Sequence, residues 1–438
     1  MGIEPYYDKD GITIYNGDCL EVMKQFEENS VDAIVCDPPY ELGFMGKKWD
    51  STGIAYNADM WREALRVLKP GGHLLAFGGT RTYHRMAVAI EDAGFEIRDM
   101  LEWIYASGFP KSHDISKAID KAAGAEREVI TKRTLNNNRF AVSGIGKEQE
   151  QYRKFDGNAN ITAPATAAAR QWAGWGTALK PAHEPIILAR KPLSEKTIVE
   201  NVLKHGTGAL DIDGCRIPTS EEITNHSRGE ESAISKGKYG DSKAQETHQT
   251  DGQVLGRFPA NIIVTDDALN DGVMTKSGKY REGIKRDRIG FRHHYQGNGS
   301  IKTGKSNAPD NYGDSGSESR YFDIDCWAEK HGLLQFPKAS KKDRGTGNTH
   351  ATVKPTHLMS WLIRLVSKEG DTVLDPFTGS GTTLVAARNL GRKAVGIEIS
   401  EKYCEIAVKR LNENPDLLLS AAMFARHRLE RSQLGLGL

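Results

Sequence analysis

The sequence predicts an α/β protein with a doubly wound, mostly parallel sheet assembled from both ends of the chain, and three observations predict it. Apolar strand-like runs alternate with periodic helix-like segments near the N-terminus and again near the C-terminus, the pattern that gives a parallel sheet with helices on both faces. A short buried strand, Asp371 to Leu374, passes through a Gly-rich turn, Phe377 to Gly381, into a helix carrying apolar Leu384, Val385, Ala386, Ala387 and Leu390. The residues with the most distinctive chemistry, Asp37, Phe377 and Glu398, all fall at the carboxyl ends of strands, where open sheets of this kind bind ligands.

Taken in order, Leu20 to Phe26 reads as a helix and Val31 to Val35 as a strand, an apolar run that ends at a Pro-Pro pair. Met60 to Leu68 is a helix, His73 to Phe77 a strand, Arg81 to Ala93 a helix and Glu96 to Trp103 a strand. The same alternation resumes with helix Thr356 to Val366, strand Asp371 to Leu374, helix Thr382 to Leu390, strand Ala394 to Ile397 and helix Glu401 to Asn412. Between these two blocks the pattern weakens. Asn136 to Ala168 and Glu221 to Gln253 are rich in Gly, Asn, Ser and Thr and read as long loops, with plausible strands at Glu184 to Ala189, Ala209 to Asp213 and Ala260 to Thr265. The expected divisions are 1–104, 105–348, 349–415 and a helical tail, 416–438.

The tetrapeptide Asp37-Pro38-Pro39-Tyr40 suits chemistry on an exocyclic amine. The amino nitrogen of adenine or cytosine is a poor nucleophile because its lone pair is delocalised into the ring. Acceptors aimed at its two N–H groups localise that pair. The Asp37 carboxylate is one acceptor and the Pro38 carbonyl the second, since Pro39 stiffens the turn. Tyr40 supplies a flat face for a base swung out of a duplex. An ordinary turn after a strand would use similar residues, so the tetrapeptide gains its meaning from the distant glycine loop. That loop, Gly379-Ser380-Gly381-Thr382-Thr383, lacks the lysine of a phosphate-binding P-loop, and Glu398 at the end of the next strand stands where an acidic residue grips ribose hydroxyls.

These motifs resemble the S-adenosylmethionine-dependent DNA amino-methyltransferases in their permuted, beta-class order: catalytic tetrapeptide, target-recognition region, cofactor loop. Segments Lys180 to Pro185 and Gly256 to Asn261 are similar to stretches in phage-type members. The resemblance implies a Rossmann-like methyltransferase fold with a large inserted target-recognition region. It also implies that Phe377, Gly379 and Gly381 line the methionine part of S-adenosylmethionine, with Asp375 before the loop and Thr382 and Thr383 opening the helix beneath it. Glu398 would hold the ribose. Asp18, in Tyr15-Asn16-Gly17-Asp18-Cys19, would contact the adenine ring, and Lys354 and Pro355 would lie near the methionine end. Asp rather than Ser at position 37 points to adenine N6, with cytosine N4 as the alternative. A cytosine C5 enzyme needs a cysteine nucleophile, typically after proline, and the chain has no Pro-Cys dipeptide. Protein-glutamine and RNA amine methyltransferases differ in tetrapeptide and motif order. Intact Asp37, Tyr40, Gly379 and Glu398 disfavour a DNA-binding module on a dead enzyme fold.

Composition is compatible with this. The 438 residues, 38% hydrophobic, suffice for a full core. No apolar run approaches the ~18 residues that cross a membrane, and no charged-then-apolar leader opens the chain, so a cytoplasmic protein is expected. Five cysteines without a Cys-x-x-Cys pair disfavour zinc and disulfides, and no metal is expected. Net charge is only +1, but Gly278 to Lys305 concentrates Lys285, Arg286, Arg288 and Arg292 among aromatics, and Lys341 and Lys342 form a second basic cluster. Both are expected to contact the phosphates of double-stranded DNA. Trp172 and Trp175 are expected to be buried, and the tail to cover the core or to pair with a second subunit in a homodimer.

Overall fold

A computed structural model describes residues 3–43, 48–106, 108, 112–134, 158–219, 250–265, 267–269, 275–276, 315–316, 318–331, 344–345, 347–350 and 352–413. Its main sheet has nine strands: β1 (Tyr7–Lys9), β2 (Ile12–Asn16), β3 (Val31–Cys36), β4 (Leu68–Phe77), β5 (Glu96–Ile104), β6 (His183–Arg190), β7 (Ile262–Val264), β8 (Thr372–Asp375) and β9 (Lys393–Glu398). Their order across the sheet is β1-β2-β9-β8-β3-β4-β6-β5-β7. The five from β2 to β4 are mutually parallel, β6 runs antiparallel to both its neighbours, and β7 is parallel to β5.

The two chain ends meet inside this sheet. Strand β8 is inserted beside β3, with Val373 opposite Ala33 and Leu374 opposite Ile34. The buried Asp32 carboxylate reinforces the join by accepting the Thr372 backbone N–H at 2.8 Å. Side chains alternate across the pleat and so divide between two cores. Ala33 and Val35 face a core built with helices Thr356–Val366, Thr382–Asn389 and Glu401–Glu413, whereas Ile34 and Cys36 face a core built with helices Cys19–Met23, Ala58–Val67 and Tyr83–Asp92. The N-terminal half therefore covers one face and the C-terminal half the other. Helix Ala58–Val67 shows why these segments fold as they do: Asn57 caps it by accepting the Asp59 N–H, and Met60, Trp61, Ala64 and Val67 form one fully buried face. The buried Trp61 indole N–H is satisfied by the Ala55 carbonyl at 2.9 Å.

Several expectations change. The sheet is not built from the two chain ends alone, since the segment 105–348 contributes β6 between β4 and β5 and β7 at the edge. The antiparallel run of β6 explains why a strand from the middle of the chain fits there: it returns beside β5, pairing from Glu96–Arg190 to Ile104–His183. Ala209 to Asp213 forms no strand; Asp211 accepts the Gly214 N–H and starts the 3-10 turn Asp213–Cys215. Trp172 and Trp175 are exposed rather than buried, at 42% and 61%, and rest edge-on against each other. The tail 416–438 and most of 136–168 and 221–253 lie outside the described residues. Among the described residues no helix is long and apolar enough to cross a membrane. The five cysteines are free, and four of them are buried.

Candidate active site

A cavity of about 970 Å³ opens at the carboxyl ends of β3, β8 and β9, within the size range of small-molecule sites. Asp37 to Tyr40, Lys354, Asp375, Phe377, Gly379, Thr382, Thr383, Glu398 and Asp18 all reach its wall. Two expected members do not line it. Pro355 is buried as the residue that starts helix Thr356–Val366. Gly381 turns toward the C-terminal helix, where an added Cβ would stand 2.8 Å from that of Ala407. Its left-handed φ of +80° and this close approach make it a packing glycine.

Around the tetrapeptide the structure assembles a charged knot. The Lys354 ammonium donates to Asp37 Oδ2 at 2.6 Å and to the Tyr40 hydroxyl oxygen at 3.1 Å, and lies 3.3 Å from Glu184 Oε2. The Tyr40 hydroxyl in turn donates to Glu184 Oε2 at 2.8 Å, and the Tyr105 hydroxyl to Glu184 Oε1 at 3.3 Å. Lys354 also lies over the rings of Phe77 and Tyr40, 4.7 and 5.2 Å from their centroids. Lys354 was expected beside the cofactor; here its ammonium is bonded to the tetrapeptide itself. Asp37 Oδ1, by contrast, is shielded from solvent and has no hydrogen-bond partner among the described residues.

Burial alone would lower the Lys354 ammonium, but Asp37 and Glu184 outweigh it and hold the group above the usual lysine range, so it is charged. Burial raises the Asp37 carboxyl; Lys354 pulls it back and Glu184 adds to the rise. Tyr40 is pushed up strongly by burial and by the two neighbouring carboxylates, and keeps its proton.

The glycine loop is held from behind. Glu398 is 9% exposed, and its two carboxylate oxygens accept the N–H groups of Gly379 and Ser400, each at 2.8 Å. This carboxylate thus fixes the loop, and any ligand hydroxyl must use its remaining lone pairs. Arg410, from helix Glu401–Glu413, donates to the Ser380 carbonyl at 2.7 Å and to the Thr382 hydroxyl at 2.9 Å. Gly379 has φ +53°, and a Cβ there would come within 3.0 Å of His350 Nε2. Asp18 caps helix Cys19–Met23 by accepting the Leu20 and Glu21 N–H groups, and stands exposed at the cavity edge.

Asp375 is 2% exposed and accepts the Phe377 N–H at 3.0 Å. Burial drives its carboxyl up to about 7, against the hydrogen bonds from Thr383 and Phe377, with Asp37 and Glu398 adding to the rise. Its folded value lies above the unfolded one, so its contribution to stability is complete below the unfolded carboxylate range and is lost as pH rises through about 7. Asp375→Asn is therefore expected to melt closer to, or above, wild type at pH 8 than at pH 5. A pH-independent difference in melting temperature would count against this.

Glu184, Tyr105, His350 and Arg410 were not identified as site residues from the sequence. For Glu184 a signal existed: it is a carboxylate at the head of the otherwise apolar run Pro185-Ile186-Ile187-Leu188-Ala189, an arrangement that calls for a buried partner. The basic residues expected to touch DNA, Lys285, Arg286, Arg288, Arg292, Lys341 and Lys342, lie outside the described residues.

Comparison with known proteins gives a family model described as DNA methylase, matching residues 31–409. Type II methyltransferase M.HindIII of Haemophilus influenzae is 23% identical over 91% of this chain and 94% of its own length. Type II methyltransferase M2.LlaDCHI of Lactococcus lactis subsp. cremoris is 46% identical over a shorter stretch, 17% of this chain and 28% of its own. Among solved structures, the cytosine-N4-specific PvuII DNA methyltransferase aligns over 97% of this chain and 95% of its own at 14% identity and a TM-score of 0.43. The M1.HpyAVI–SAM complex aligns over 91% and 98% at 15% identity and a TM-score of 0.37.

Proposed function

The chain belongs to the DNA methylase family of N6 and N4 enzymes, and from that premise we propose that it methylates the exocyclic N6 of an adenine flipped out of duplex DNA, with S-adenosylmethionine as donor. The observation that carries this reading is Asp37 Oδ1, on the cavity wall and without a hydrogen-bond partner among the described residues. A buried acceptor without a donor is costly, and the amine of an entering base is the donor it fits. Asp rather than Ser at position 37 supports adenine over cytosine N4.

The cavity residues also suit the cofactor. Beside Arg344 and the Lys354 ammonium that Asp37 and Glu184 hold between them, Asp18, Asp50 and Glu398 also line the space, an acidic excess that favours a cationic ligand. Gly379, without a side chain, leaves room beside His350 on the cavity wall, and Glu398 and Asp18 would take the ribose and adenine. S-adenosylmethionine, when bound, supplies an electrophilic methyl group.

The remaining steps belong to the chain. Tyr40, its hydroxyl fixed by Glu184 and Lys354, would stack on the flipped base. Asp37 Oδ1 accepts one amine N–H and localises the nitrogen lone pair so that it can form the new N–C bond as the donor's S–CH₃ bond breaks, that bond's electron pair staying on sulfur and S-adenosylhomocysteine leaving as the neutral thioether. The methylated nitrogen then loses a proton to the same oxygen, and the proton leaves to solvent with the product. No covalent bond to the protein is required.

Nucleosides from DNA treated with the protein and labelled S-adenosylmethionine, analysed by mass spectrometry, should carry label in N6-methyladenine. Label in N4-methylcytosine alone selects the cytosine alternative, and label in 5-methylcytosine or in protein alone overturns the mechanism. Gly379→Leu should fill the cofactor cradle and weaken S-adenosylmethionine binding by about tenfold or more, roughly 1.4 kcal/mol. Calorimetric titration giving wild-type affinity for this variant would remove the glycine loop from the cofactor site.

A further inference from the structure

The proposed mechanism asks Asp37 to act as an ionised acceptor although an ammonium is bonded to it, and the geometry shows how the two demands are reconciled. A lone Lys354–Asp37 pair would neutralise the carboxylate and lower its basicity. Glu184 changes that balance. It arrives from a different part of the chain, at the head of the antiparallel strand β6, and its Oε2 receives the Tyr40 hydroxyl at 2.8 Å and lies 3.3 Å from the same ammonium. One cation is therefore shared between two carboxylates, while Tyr105 closes the second Glu184 oxygen.

We infer that Glu184 is a positioning residue for methyl transfer: it draws Lys354 and the Tyr40 hydroxyl to one point, so that Asp37 is anchored through Oδ2 and offers Oδ1 as a charged, basic acceptor. This rests on the reading of the cavity as an amino-methyltransferase site and deepens it, because it makes the middle segment of the chain part of the catalytic apparatus. Lys354 and Tyr40 touch both carboxylates or their partners, Tyr105 touches Glu184, and the Asp375 carboxyl and Cys36 thiol lie near Asp37. His183, next to Glu184 in sequence, pairs with Glu102 at 3.5 Å.

Glu184→Gln separates charge from shape. The amide still accepts from Tyr40 but no longer shares the ammonium, so Lys354 collapses onto Asp37 and reduces its proton affinity. Single-turnover methylation by the full-length protein should fall by ~10-fold or more, and the acid limb of its pH–rate profile should move to lower pH. Affinity for S-adenosylmethionine should stay within about threefold of wild type, a change of roughly 0.6 kcal/mol or less. Glu184→Asp, which keeps the charge, should lower the rate but leave the acid limb near its wild-type position. An unchanged rate and limb in Glu184→Gln overturns the inference. So does an equal shift of the limb in both variants, which would mean that geometry rather than charge matters. Wild-type protein that labels no DNA amine removes the underlying reading and the inference with it, whereas a methylating wild type with an indifferent Glu184→Gln removes the inference alone.

Discussion

Asp37→Ala is expected to lower single-turnover methyl transfer by ~10²-fold or more while cofactor affinity changes by no more than a few-fold, the loss typical of a hydrogen-bond group acting mainly in the transition state. The variant removes Oδ1, the acceptor that localises the amine lone pair and takes its proton, and it also removes Oδ2, to which Lys354 is bonded at 2.6 Å. Asp37→Asn should do no better. Its carbonyl oxygen would turn toward the Lys354 ammonium, since the opposite orientation sets two donors against each other, and the amide NH₂ would then face the base amine as a second donor. A neutral substitution of the same size is thus expected to be as damaging as deletion. Near-normal single-turnover methylation by either variant would sink the assignment of the tetrapeptide.

How much of this was legible in the sequence follows from how local each signal is. Strands β3, β8 and β9 and helix Thr356–Val366 are written as short apolar runs or amphipathic periods, and their expected limits lie within two residues of those observed. The joining of the two chain ends could be argued because Asp37, Phe377 and Glu398 each stand at a strand's carboxyl end. Strand β2 was not recognised, because only Ile12 and Ile14 of its five residues are buried, too brief an alternation to stand out, and its parallel partner β9 lies at the other end of the chain. The same reason hides β6 as a member of the main sheet: its apolar run announces a strand, but nothing in it announces pairing with β4 across the whole intervening segment. The two glycines show the limit most clearly. Gly379 and Gly381 are alike in spacing and in left-handed φ, yet one borders the cavity and the other meets Ala407 of a helix further along the chain. Glu184 and Lys354 likewise acquire their meaning only when the fold brings them to one point.

The second large effect concerns that point. Lys354→Met is expected to destabilise the protein by about 3 kcal/mol at pH 8, the lower end of the cost of stripping one partner from a buried ion pair. The lower end is appropriate because the Asp37 and Glu184 side chains are 21% and 19% exposed and keep some access to water. Methionine preserves most of the packing against Phe77 and Tyr40 but leaves two carboxylates without their shared cation. Asp37, whose carboxyl burial already raises, then prefers its protonated form, so the folded state holds a proton that the unfolded chain, with carboxyl groups near ~4, has released. The destabilisation is therefore complete above the raised folded value of Asp37 and fades as pH falls toward the unfolded range. Urea unfolding at pH 8 and pH 5 should show a gap between variant and wild type that narrows on acidification, and methyl transfer should be lost at both values because Asp37 is protonated or no longer anchored. A gap that is absent at pH 8, or that widens as protons are added, would mean that Lys354 does not hold the two carboxylates together.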